Sequence, residues 1–560
     1  MTDKTLIHPV IQRAETDPDH LTLVMINEDN TETRVNAVQF HQHAVSFSNA
    51  LRQIDVGPED LVILVLKQSQ VLLSAFWGAL YLGAIPSIFP FLTEKLDPVL
   101  YMERVKTLVA HSGAKAVITF AEFKEDLSAL LAEVDCRVLN TDEVSQDVVN
   151  ELDDVFWENP SSEKIAFLQH SSGTTGLQKG VALSHKAVLN QIEAYRQAIE
   201  LTEDDVIVSW LPLYHDMGLI AGFVMPIVAG IPLVLMSPFH WIRDPKKLLW
   251  AIHNHKGTLC WLPNFAYNHL ARTARPSDIE GLDLSSWRAA INCSEPVYDR
   301  SHRMFLQKFA PYGFKESALT VSYAMAENTF AVTQSPIGQP AHLDWVQVAS
   351  LQQERVARPI EPETKGSTSI ISCGFPIEGT EIGVVDENGE FLPQRRVGEI
   401  VLRSDCMLTG YYKRPDITAE TIKDGWYFTG DMGYVADGQL YVSGRKKDLI
   451  IVGGKNIYPQ DLEAIANQVA GIYPGRAVAF GLFDERIGSE VVVMVCELQS
   501  GEEEREPQEI ERELRKQVVL QTEVTLADAR FVEGRWLIKT SSGKIARVDN
   551  REKYLKEFRT

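Results

Sequence analysis

The chain has 560 residues, 45% of them apolar and 23% charged, the balance of a soluble globular protein too long for a single core. With 54 Lys and Arg against 76 Asp and Glu the formal charge is −22, which argues against a general nucleic-acid or anionic-membrane surface and leaves room only for a local basic patch. Six cysteines occur with no CxxC pair, which argues against a zinc site or a disulfide framework and fits a reducing cytosol.

The N-terminal MTDKTLIHPVIQRAETDPDH has no basic start followed by an apolar core, so no signal peptide is expected and a cytoplasmic location is. LVILVL at 61–66 reads as a strand, QVLLSAFWGALYLG at 70–83 as a helix, and AVITF at 116–120 as a strand again. PLVLM at 232–236 and TLCWL at 258–262 continue this rhythm, which predicts parallel α/β construction. No Asp, Glu, Lys or Arg occurs between Asp216 and Arg243, a gap long enough for a membrane span. Pro226, Gly230, Pro232 and Pro238 break it, so buried pieces of a large core are expected rather than stable membrane insertion.

From about 371 the pattern changes to hairpins, with a turn at Glu387-Asn388-Gly389 and short strands such as GQLYVSG at 438–444. After Arg445-Lys446-Lys447-Asp448 come about a hundred residues with strands of their own, AVAFGLF and VVVMVCEL, and a charged helical stretch from Glu502 to Lys516. The expected fold is α/β: a large N-terminal domain (1–444) of α/β subdomains plus a β-rich subdomain (about 371–444), a hinge (445–448), and a small mobile α+β C-terminal domain (449–560).

The stretch SSGTTGLQKG at 171–180 is not the familiar phosphate loop, because Lys179 precedes Gly180 rather than Ser or Thr. Its small hydroxylated residues and glycines nonetheless let N–H and O–H donors converge on phosphate oxygens, and Lys179 adds a mobile cation. Downstream, SYAMAENTF at 322–330 sets Tyr323, able to stack on a base, four residues before Glu327, able to hold Mg²⁺ through an oxygen. GWYFTGD ends in Asp431, suited to accept from ribose hydroxyls. SGRKKDLI supplies Arg445, and KTSSGKIAR at 539–547 places Lys544 after a flexible Ser-Ser-Gly.

In this order the motifs resemble the adenylate-forming superfamily of acyl-CoA synthetases, peptide-synthetase adenylation domains and luciferases, over essentially the whole chain. The resemblance implies that Ser171, Ser172, Gly173, Thr174, Thr175, Gly176 and Lys179 cradle the ATP phosphates. Ser294, Glu295, Pro296, Ser322, Tyr323, Ala324 and Met325 would frame the adenine, and Asp431 and Arg445 the ribose. Glu327 would bind Mg²⁺, Lys544 would be the catalytic lysine, and Asp448 the hinge about which the small domain turns. Departures are YAMAE where glycine often follows the tyrosine, Cys293 before the SEP run, and GGKN at 453–456; they bear on substrate fit, not on the reaction.

Within the superfamily, WLPLYHDMGLI at 210–220, INCSEPV at 291–297 and KNIYPQDLEAIA at 455–466 look most like fatty acyl-AMP ligases. His215 is then a catalytic candidate beside the reacting carboxyl; its other reading is a core histidine bonded to Asp216. A long spacing separates Glu327 from Gly374 and holds AHLDWVQVASLQQERVARP, similar in position to the insertion that marks that branch and hinders the rotation needed for thioester formation with coenzyme A. An ordinary longer loop is the other reading of 341–359. The resemblance thus implies ATP and Mg²⁺ as cofactors, a fatty acid substrate and an acyl carrier protein acceptor. A fatty acyl-CoA synthetase, an amino-acid or aryl-acid adenylation enzyme and a luciferase-like oxidase are the alternatives. Trp210, Phe223, Trp241 and Trp261 are candidate walls of an apolar acyl pocket, and Arg512, Arg515, Lys516, Arg551 and Lys553 candidate contacts for an acidic carrier.

Overall fold

The computed structural model describes residues 4–91, 98–145, 161–170, 179–452, 455–484, 489–499, 505–522, 524–540 and 543–559. Two large sheets share the first 445 residues. One has seven strands in the order 410–411, 180–184, 165–170, 85–88, 61–64, 116–119, 137–140, parallel except where strand 180–184 meets its two neighbours. The other has nine, with a parallel centre (21–26, 233–236, 207–209, 259–262, 289–292, 319–324) and antiparallel strands at both edges.

The helix Gln70–Tyr81 lies between them, which explains why it is apolar on every side. Ser69 caps it by accepting the Leu72 N–H at 3.4 Å. Phe76 reaches Phe167 of the seven-stranded sheet (5.5 Å between rings) and Phe223 beneath the nine-stranded one (5.4 Å), so one core joins both sheets. Gly78 lets the neighbouring helix Ala37–Gln53 approach: a Cβ there would stand 2.7 Å from the Ala44 carbonyl.

The uncharged stretch after Asp216 is cut as its prolines and glycines require. It forms the π-helical turns Met217–Val224, the helix Met225–Ala229 stopped at Gly230, the strand Leu233–Met236 and the helix Pro238–Arg243. Among the described residues no helix is long and apolar enough to cross a membrane.

The β-rich region is a five-stranded sheet built on the hairpin Thr380–Val385/Gly398–Ser404, the long strand Trp426–Ala436 and its partner Gln439–Arg445, with Ile422–Lys423 at one side. It also reaches further back than 371, because Leu343–Gln347 pairs with Ser367–Ile371. The last segment carries a three-stranded sheet (Ile472–Asp484, Ser489–Leu498, Leu526–Val532) with helices Pro459–Ala466 and Pro507–Thr522 on one face and Arg547–Phe558 on the other. The charged helix thus starts at Pro507 and runs past Lys516 to Thr522, because Ile510, Leu514 and Val518 continue its buried stripe.

Candidate active site

A cavity of about 1880 Å³ opens where the parallel strands of the nine-stranded sheet end at their carboxyl termini. Trp210 follows strand Ile207–Ser209, Ser294 follows Ala289–Asn292, and Met325 follows Leu319–Ala324; all three line it. The β-rich sheet contributes Asp431 and Arg445 to the wall, and the C-terminal segment contributes Lys544.

One end of the cavity is a connected polar network. Asp431 and Arg445 are register partners on adjacent strands, and Arg445 Nε meets Asp431 Oδ1 at 2.7 Å. The other oxygen, Oδ2, accepts from the Tyr323 hydroxyl at 2.7 Å. The Asp431 backbone N–H donates to Thr429 Oγ1, whose hydroxyl donates to the Ile400 carbonyl, so the carboxylate is fixed from behind. Burial and the Asp431 charge push the Tyr323 hydroxyl well above its usual range, keeping it a donor. Ser322, Ala324, Glu295 and Pro296 line the same cavity, although the Ser322 hydroxyl itself is used within the sheet, donating to the Thr333 carbonyl at 2.8 Å. Glu295 accepts the Phe265 N–H at 3.0 Å.

In the middle stands Glu327, on the turn Ala326–Asn328. Its Oε1 accepts from the Tyr411 hydroxyl at 2.9 Å, and its backbone carbonyl accepts the Leu408 N–H at 2.8 Å. Burial raises its carboxyl above the ordinary range, the Tyr411 bond and Arg445 acting the other way. Lys179 Nζ lies 5.1 Å from the centre of the Tyr411 ring. The other phosphate-loop candidates, Ser171, Ser172, Gly173, Thr174, Thr175 and Gly176, lie outside the described residues.

The third part comes from the C-terminal segment. Lys544 sits on a tight turn: Thr540 and Lys544 exchange bonds, N–H to carbonyl at 2.7 Å and N–H to Oγ1 at 3.2 Å, and Gly543 holds φ +80°. The ammonium is close enough for its charge to act on His215, Asp216 and Glu295. His215 is pushed down to about 3, first by burial and then by Lys544, so its ring is neutral. Its Nε2 is shut from solvent with no partner among the described residues, and Asp216 instead caps its own turn by accepting the Met217 N–H at 2.8 Å. The reading of His215 as a histidine bonded to Asp216 is therefore not the one seen. Asp216, which sequence reasoning did not single out as functional, is raised by burial.

Around the connector, Lys446 Nζ reaches Glu399 Oε2 of the β-rich sheet at 2.7 Å, while Asp448 is held by Arg547 at 2.6 Å. Arg547 also binds Glu463 at 2.7 Å and the Ala479 carbonyl, so Asp448 is tied to the small domain. Residues 341–359 form the strand Leu343–Gln347 and the wide turn Ser350–Glu354. They touch the small domain at Asn456, which donates to the Gln352 carbonyl (2.9 Å) and accepts from Arg355 (3.3 Å).

The apolar wall corrects the sequence reading in part. Trp210 lines the cavity, and Trp241 backs it in a parallel stack at 3.6 Å, with Phe265 edge-on to both. Phe223 and Trp261 are core: Phe223 packs on Phe76 and Trp77, and the Trp261 indole donates to the Tyr195 hydroxyl. Phe239, Ile242 and Phe265 line the cavity instead, and all three are exposed to it.

Residues 10–412 match the family model described as AMP-binding enzyme. The chain belongs to the AMP-binding enzyme family. It is 30% identical to the medium-chain-fatty-acid–[acyl-carrier-protein] ligase JamA of Moorena producens (strain JHB), covering 94% of this chain and 91% of that protein. It is 29% identical to the long-chain-fatty-acid–AMP ligase FadD32 of Mycolicibacterium smegmatis, covering 92% and 88%. A structure from a study of fatty acyl-adenylate ligases from E. coli and L. pneumophila superposes with a TM-score of 0.89 at 26% identity, covering 99% of this chain and 98% of that one. This AMP-binding enzyme is thus a ligase with the α/β fold of the adenylate-forming enzymes, as its motifs led one to expect.

Proposed function

We propose that this ligase activates a fatty acid with ATP and passes the acyl group to the phosphopantetheine thiol of an acyl carrier protein. The reading is carried by one observation: Lys544 and His215 line one cavity while the 341–359 segment is bonded to the C-terminal segment that carries Lys544. The activities named for JamA and FadD32 support the substrate class, and JamA's supports the acceptor.

In the first step a carboxylate oxygen bonds to the α-phosphorus and the bond from that phosphorus to the α,β-bridging oxygen breaks, releasing pyrophosphate. No proton moves, so catalysis rests on positioning and on cations near the meeting anions. Lys544 supplies such a cation between carboxylate and α-phosphate. The neutral His215 ring, with its unpartnered Nε2, orients the acid without adding charge. Asp431 and Arg445 hold the ribose, Tyr323 with Ser294, Glu295, Pro296, Ala324 and Met325 frames the base, and Lys179 meets the outer phosphates.

No group of three metal-ligating side chains occurs among the described residues, so a resident metal cage is not what Glu327 serves. A single buried carboxylate fits an Mg²⁺ ion that arrives with the nucleotide and takes most of its ligands from phosphate and water. When bound, that ion neutralises phosphate charge. In the second step the carrier thiol's sulfur bonds to the acyl carbon, the bond to AMP breaks, and the thiol proton goes to solvent. The tail rests against Trp210, Phe239, Ile242 and Phe265, gaining about 0.8 kcal/mol per buried CH₂.

A split acceptor assay tests this: enzyme, ATP, Mg²⁺ and a panel of fatty acids, with coenzyme A in one tube and phosphopantetheinylated carrier in the other. Acyl-AMP in both tubes with thioester on the carrier alone is expected. Rapid acyl-CoA formation would replace this reading with that of a CoA synthetase.

A further inference from the structure

Tyr411 was not singled out by any motif, yet two candidate ATP-handling groups converge on it. Its hydroxyl donates to Glu327 Oε1 at 2.9 Å and lies 3.1 Å from the Tyr427 hydroxyl, and its ring lies under the Lys179 ammonium at 5.1 Å. The residue is 5% exposed. That strand, Gly410–Tyr411, is bonded to Gly180–Ser184, whose first residue follows Lys179; Tyr412 donates its N–H to the Gly180 carbonyl and Thr409 its N–H to the Ala182 carbonyl. One residue earlier, the Leu408 N–H holds the Glu327 backbone carbonyl. Five consecutive residues thus stitch the exit of the phosphate-loop segment to the turn carrying Glu327, and Tyr411 is the one whose side chain touches both functional groups.

We infer that Tyr411 is a positioning residue that fixes the separation between the phosphate-binding cation Lys179 and the metal-binding carboxylate of Glu327. Its hydroxyl occupies Oε1 and leaves Oε2 for the ion, so the carboxylate presents one defined oxygen rather than a rotating pair. Its ring gives Lys179 a seat that is weaker than an ion pair, which lets the ammonium follow the departing pyrophosphate. Tyr427, bonded to the same hydroxyl, fixes the direction in which the proton points.

This inference rests on the roles proposed above for Glu327 and Lys179, and the test separates the two. Mn²⁺ replaces Mg²⁺ as a spectroscopic probe, and its affinity for the full-length enzyme with a non-hydrolysable ATP analogue is read by electron paramagnetic resonance. Affinity for the analogue without metal is read by calorimetry. Tyr411→Phe keeps the ring and removes the hydroxyl. It should weaken Mn²⁺ about five- to tenfold while leaving metal-free analogue affinity unchanged. Tyr411→Leu removes both and should also weaken the metal-free analogue about threefold. Glu327→Gln is the reference and should weaken Mn²⁺ at least as much as Tyr411→Phe. If Glu327→Gln weakens Mn²⁺ and Tyr411→Phe does not, the inference is overturned while the Glu327 reading stands. If neither does, the metal role of Glu327 falls and takes this inference with it. A Tyr411→Phe variant that only melts earlier, with Mn²⁺ affinity intact, would mark Tyr411 as structural packing and also overturn it.

Discussion

The two ends of the cavity are built on opposite plans. At the ribose end, Tyr323, Asp431 and Arg445 come from strands of the large domain and satisfy one another before any ligand arrives. At the reaction end, His215 Nε2 has no partner among the described residues, Asp216 and Glu295 are raised by burial, and a cation that acts on all three, Lys544, comes from the C-terminal segment. A preorganised network suits a group that is held throughout the cycle, whereas under-satisfied groups with a removable cation suit a place where charge changes and reagents exchange. Binding is rigid and chemistry is portable.

The sharpest way to break this contrast is Lys544→Ala. Acyl-adenylate formation, followed as pyrophosphate release, should fall by about 10²–10³, the usual cost of one preorganised stabilising group, while thioester formation from supplied acyl-adenylate persists. Equal loss in both half-reactions would erase the distinction between the two ends. Asp431→Ala attacks the other plan: it strands the Tyr323 hydroxyl and Arg445, and the KM for ATP should rise about 10–100-fold, the range for a hydrogen bond to a charged group, with kcat less affected.

Smaller effects sharpen it. Asn456→Ala severs both bonds between the 341–359 segment and the small domain. A few-fold rise in acyl-CoA formation, read by chromatography with adenylation unchanged, is expected, and no rise would detach that segment from acceptor choice. The pH dependence of thermal unfolding should show two opposed slopes. His215 is lowered from 6.5 to about 3, so its contribution is present above pH 6.5 and lost as pH falls from there towards 3; His215→Gln should remove that loss. Asp461 is raised from 3.8 to about 7 by burial and by Glu463, so its contribution is full below pH 4 and lost as pH rises through 7; Asp461→Asn should flatten that slope. A wild-type profile unchanged by either variant would contradict both assignments.

Much of this was legible in the sequence because local chemistry dictates it. The strands at 61–64, 116–119 and 233–236 and the helix 70–81 stand where β-branched runs and an apolar stretch placed them. Asp431 and Arg445 sit in motifs whose residue types carry their use, and they meet across a hairpin, a short-range event. The acyl wall was less legible. Trp210 and Trp261 look alike in a string, but Trp261 lies within strand Leu259–Leu262 and turns into the core, whereas Trp210 lies one residue past Ser209 and reaches the cavity. Tyr411 and Arg547 escaped notice for a different reason. Their partners are 84 and 99 positions away, and nothing in GYYKRP or GKIAR announces a contact at that range.

One detail of the connector has a mechanical meaning. Lys446 is anchored to Glu399 on one side and Asp448 to Arg547 on the other, so in the proposed cycle the small domain would turn about a connector held at both of these residues. In that cycle the resting arrangement would be held away from the connector, where Asn456 meets Gln352 and Arg355. On the proposed reading, acceptor choice would then be a matter of leverage: a pair of hydrogen bonds at the rim would hold the arrangement about that connector.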